Sequence, residues 1–167
     1  MFLVNGVAVV IAVIMAIFAH FFVPITTLFD MSQGFAVYFI RLFVLMIGGV
    51  LYIILHELVH GITMKLCGTK KVKYGFKGVY AFAGSEDYYD KKSYLTIALA
   101  PVVLWGIFLT VLSFLVPIQW FWVVYFIQIS NISGAAGDMY VTARFRKLPD
   151  DILVKDYGVG MTVYSSK

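Results

Sequence analysis

Four apolar stretches dominate this chain of 167 residues, and they leave few ways for it to fold. The first, from Phe2 to Val23, has no charged residue and is closed by Pro24. The others run from about Phe35 to Leu66, Ser93 to Val116 and Gln119 to Thr142. A bilayer core about 30 Å thick takes about 20 residues of helix. In lipid every backbone polar group must be bonded within the segment, which helices achieve. The composition agrees: 62% of the residues are hydrophobic and 13% charged, against about half and about a quarter in soluble domains. The expected fold is therefore an all-α membrane protein, one integral membrane domain over residues 1–167 with about four transmembrane helices (about 2–23, 35–66, 93–116 and 119–142). The first stretch lacks the basic start of a secretory signal and is long enough to be a retained span. Asp30-Met31-Ser32-Gln33 has the pattern of a capping box opening the second, and Gly68 is placed to end it.

The charges orient these spans. Of 13 basic residues, Lys65, Lys70, Lys71, Lys73, Lys77, Lys91 and Lys92 lie at or between spans two and three. Arg144, Arg146, Lys147, Lys155 and Lys167 follow span four, and Arg41 alone lies elsewhere. Positive residues stay on the cytoplasmic side. The 65–92 loop and, with four spans, both termini are thus expected in the cytoplasm, in a multi-pass membrane protein. The net charge of +4 is then a topology signal with some attraction to anionic lipid, and nucleic acid is not expected as a partner. Cys67 is the one cysteine, so no intramolecular disulfide can form.

Between spans two and three, Val72, Tyr74 and Phe76 alternate with Lys71, Lys73, Gly75 and Lys77. Strict alternation predicts a strand with one apolar face, and Gly78 can turn it into Val79–Ala83. A short β-hairpin over about 71–83 is expected, either covering the helices at the membrane surface or presenting an edge to an extended peptide.

His56-Glu57-Leu58-Val59-His60 lies within the second apolar stretch. Histidines four apart on a helix share a face and can hold one zinc ion, and the glutamate between them can serve as general base. Ionisable groups are costly in a membrane helix and mark function there. A catalytic zinc needs a third protein ligand. His20 and Asp30 lie at the opposite end of the spans, and Glu86, Asp87 and Asp90 belong to a polar loop. Asp138, inside the fourth stretch, is the best third ligand. Counted from Lys65 and Arg144 as markers of the inner interface, His56, His60 and Asp138 lie at similar depth, roughly 8–14 Å in. The residues before it, Ser133-Gly134-Ala135-Ala136-Gly137, are small and would let helices approach closely; Gly61 would serve the same contact. Asn131 lies seven residues before Asp138, on the same face of a continuous helix.

With His56-Glu57-Leu58-Val59-His60-Gly61, Ala100-Pro101 and Asn131…Gly134…Asp138, the chain resembles the site-2 protease class of intramembrane metalloproteases. It is most similar to a small bacterial family of membrane zincin peptidases. The resemblance implies one zinc ion on His56, His60 and Asp138, Glu57 activating water, and Asn131 holding the substrate backbone. The implied substrate is a transmembrane protein, cut in or near its spanning segment. The chain departs from the usual site-2 pattern in having no proline between Asn131 and Asp138 and Met139 after the aspartate. Other readings of the same residues are a metal-binding membrane protein without protease activity (a sensor, chaperone or inactive relative), a structural subunit in which His and Glu bond between helices, and a zinc hydrolase acting on lipid.

Overall fold

The computed structural model describes residues 2–78 and 80–165, without the side chain of Phe2. Val79 and Lys167, which entered the hairpin and charge readings, lie outside the described residues. The fold is mostly helical with two small sheets. Helix α1 spans Phe2–Phe22, α2 Phe35–Leu66 and α3 Lys91–Leu115. All three are long and apolar enough to cross a membrane, with mean hydropathy of 2.4, 2.3 and 2.4. Their outward faces are apolar: Val10, Ile14 and Phe18 on α1, Phe43 and Val50 on α2, and Ile107 and Val111 on α3 are more than half exposed. A continuous apolar surface of this kind is unfavourable in water and suits lipid.

The fourth apolar stretch is not one helix. It divides into α4 (Phe121–Gly134) and α5 (Ala136–Phe145). At 14 residues, α4 is about 21 Å long, short of a bilayer core by itself. Gly134 and Gly137 do not serve close helix approach, since a Cβ at either would meet nothing within 4 Å. Nor does Asp30 cap α2: its carboxylate accepts from the N–H and hydroxyl of Ser32, and α2 starts after Gly34, which has φ +94°.

The chain forms two compact units, Met1–Tyr52 with Val102–Gly137, and Ile53–Pro101 with Asp138–Lys167. In the first, buried Trp122, Val123 and Ile129 of α4 pack with Ala19 of α1 and Leu28. Arg41, the exception in the charge pattern, is fully buried there. Its guanidinium donates to the carbonyls of Thr27, Asp30 and Gln119, tying together the two loops at that end.

The second unit carries the sheets. Strand β1 (Val72–Lys77) pairs antiparallel with β2 (Tyr80–Ser85), from Val72↔Ser85 to Lys77↔Tyr80, around Gly78 at φ +64°. Strand β3 (Tyr88–Asp90) pairs with β4 (Leu153–Asp156), and β4 with β5 (Met161–Tyr164). This three-stranded sheet was not expected in a region read as helix ends and charged loop. Asp90 leaves the loop to accept from the Ser93 N–H at 2.7 Å, capping α3. Glu86 is held by Lys73 and Lys155, each at 2.8 Å. The core beneath is Met64, Tyr89, Tyr94, Ile97, Phe145, Ile152 and Val154.

Candidate metal centre

Helical periodicity sets the direction of each site residue. His56, His60 and Met64 recur every four residues and so share one face of α2; Met64, 1% exposed, anchors that face in the core. On α5, Asp138 shares a face with Val141 and Phe145, three and seven residues on. Phe145 is buried and lies 5.3 Å from the ring of Tyr94, with Val141 against the same core. Burying Met64 and Phe145 in one cluster therefore turns the two histidines and the aspartate toward each other. The end of α5 is also fastened: the Lys91 ammonium donates to the Leu148 carbonyl at 2.7 Å and to Asp150 at 2.8 Å.

At the centre, Asp138 Oδ2 is 3.7 Å from His56 Nε2 and 3.7 Å from His60 Nε2. The imidazole rings are 4.9 Å apart at 75°. Glu57 offers a carboxylate oxygen within 4.8 Å of the imidazole ligand atoms. A separation of 3.7 Å exceeds an N–H···O hydrogen bond, about 2.7–3.2 Å. It is close to the spacing of two atoms that ligate one ion. Two imidazole nitrogens and a carboxylate are a donor set that zinc accepts. His60 is buried, and its Nδ1 lies 2.9 Å from the carbonyl of Ile97.

Asn131 belongs to the other compact unit. It is fully buried there, its Oδ1 accepts from the Tyr52 hydroxyl at 2.9 Å, and its Nδ2 donates to the Val102 carbonyl at 3.2 Å. Gly61 is where Tyr74 of β1 covers α2: a Cβ at position 61 would stand 2.0 Å from the tyrosine oxygen. The glycine next to His60 thus admits the hairpin. His20 accepts from the Ile25 N–H at 3.0 Å, closing the end of α1.

Asp156 was missed by sequence reasoning. Its carboxylate accepts from the Tyr94 hydroxyl at 2.9 Å and the Gly158 N–H at 2.7 Å. Burial raises its pKa above the ordinary carboxylate value, and it feels the charges of His60 and Asp138. It lies after the last apolar stretch, where no periodicity ties it to the helices. The glycines at 158 and 160, between Leu153–Asp156 and Met161–Tyr164, were the available sign of a hairpin there.

The chain is 32% identical over 121 residues to an uncharacterized 24.7 kDa protein in gap 5'region of Pyrococcus woesei, a match taking in 67% of this chain and 50% of that protein. The chain thus spans about half the length of the curated relative it matches. No solved structure matches it. Residues 49–153, which include the paired histidines, Glu57 and Asp138, match a family described as "Putative zincin peptidase". The chain belongs to that zincin peptidase family.

Proposed function

We propose that this protein is a zinc-dependent intramembrane peptidase that hydrolyses peptide bonds in or near transmembrane segments of membrane proteins. The observation carrying this reading is the convergence of His56 Nε2, His60 Nε2 and Asp138 Oδ2 at 3.7 Å, with Glu57 beside them. We assign His56, His60 and Asp138 as ligands to one zinc ion and Glu57 as general base. Asn131, assigned by resemblance to substrate binding, is given a structural role instead, because both ends of its amide are already used inside its own unit. The α4–α5 pair is proposed to complete a fourth crossing, which leaves both termini on the cytoplasmic side of the cell membrane.

Zinc, when bound, supplies a Lewis acid that polarises the scissile carbonyl and acidifies water. The protein's own groups do the rest. The two imidazoles and Asp138 would hold the ion. Glu57 takes a proton from the attacking water and delivers it to the leaving amine.

The test is cleavage of a labelled transmembrane peptide by detergent-purified protein, wild type beside Glu57→Gln, with zinc content measured on both. Cleavage abolished in the variant, with zinc retained, supports the mechanism. Cleavage that persists in the variant overturns it. Zinc retained by two proteins that are both inert would favour a non-proteolytic metal-binding role.

A further inference from the structure

Helix α3 contains Pro101 in its interior, fully buried. In an uninterrupted helix the carbonyl of residue 97 accepts from the N–H of residue 101. Proline has no N–H, and its ring crowds that carbonyl. Ile97 is 1% exposed, so its released carbonyl is shielded from water and needs another donor. The donor it finds is His60, whose Nδ1 lies 2.9 Å away. A carbonyl oxygen only accepts, so the His60 proton must be on Nδ1. The lone pair is then on Nε2, the nitrogen 3.7 Å from Asp138.

We propose that Pro101 is a positioning residue for the metal centre. By withholding a backbone donor, it gives the Ile97 carbonyl to His60 and holds the imidazole in the Nδ1–H tautomer, with Nε2 aimed at the ion. The consequence for zinc rests on the function proposed above; the tautomer exists without any metal. A proline kept only for helix shape or packing would predict something different, because replacing it would then disturb stability and not the imidazole.

The experiment compares wild type with Pro101→Ala and Pro101→Gly, both of which restore the N–H. Zinc affinity is measured by chelator competition. Histidine 15N resonances of the metal-free protein report the tautomer, and thermal unfolding reports stability. Loss of an outer partner of a ligating histidine typically weakens metal binding about 10- to 100-fold, and that loss is expected in both variants. The His60 nitrogens should move from the Nδ1–H pattern toward a tautomer mixture. The restored helix bond replaces the His60 bond, so thermal unfolding serves to show that each variant remains folded. An unchanged 15N pattern with zinc affinity within threefold of wild type overturns the proposal. So does an effect confined to one variant, which would mark packing. A wild type that binds no zinc, yet loses its Nδ1–H pattern in both variants, would overturn the zinc reading while upholding the role of Pro101.

Discussion

Replacing Asp138 by alanine tests whether the third ligand has been chosen correctly. Two atoms each about 2.05 Å from one zinc ion at the tetrahedral angle stand about 3.3 Å apart. Asp138 Oδ2 is 3.7 Å from both imidazole nitrogens, so closure onto an ion needs a shift of only about 0.4 Å, within rotamer adjustment. Structural zinc sites with four ligands contribute about 10–16 kcal/mol, or about 2.5–4 kcal/mol per ligand, which is roughly 60- to 10³-fold in affinity. Asp138→Ala is expected to weaken zinc binding by that factor in a chelator competition in detergent. Glu57→Gln is expected to stay within about threefold of wild type, because the ion does not depend on its charge. The reverse outcome, with Asp138→Ala binding normally and Glu57→Gln losing the ion, would exchange the two roles and refute the assignment.

Three further outcomes follow from the second unit. In Gly84→Ala the new Cβ would stand 2.4 Å from the backbone carbon of Tyr157. Backbone cannot swing aside as a side chain can, so a loss of about 1–3 kcal/mol or more should appear in chemical unfolding, whereas Gly134→Ala, with open space, should be tolerated. Lys91→Met should cost about 1.5–3 kcal/mol, the range for hydrogen bonds from a charged group, while Asp150→Asn should cost far less, because that carboxylate is 97% exposed. Lys155 and Lys73 hold the Glu86 carboxyl down to about 2, from an ordinary 4.5. A depressed acid contributes stability that is complete above its ordinary value and lost as pH falls toward the folded one. The melting temperature of wild type should therefore drop toward that of Glu86→Gln between about pH 4.5 and about pH 2, and added salt should narrow the gap.

Much of the centre was legible because it obeys a local rule. His56 and His60 share a face through helix geometry alone, and Glu57 lies beside them for the same reason. Asp138 was reached by counting residues inward from Lys65 and Arg144, which works when helices are regular from the interface to the site. The count used only the α5 segment, so the break between α4 and α5 does not enter it, and the structure places Asp138 3.7 Å from both imidazole nitrogens. The shared face expected for Asn131 and Asp138 was projected through one continuous helix, whereas the helix breaks at Gly134–Ala135. Asp156 was passed over because its neighbourhood depends on strands that pair with distant sequence.

Apolar length determined the three long helices, and four-residue spacing determined the paired histidines; each needs only near neighbours in the chain. The tertiary structure decided the rest. Whether Phe145 and Met64 share a core, whether β3 finds β4 more than 60 residues on, and which donor the Ile97 carbonyl receives are set by packing between remote segments. Such packing leaves no periodic trace in either segment, because its stability comes from the contact and not from the local chain.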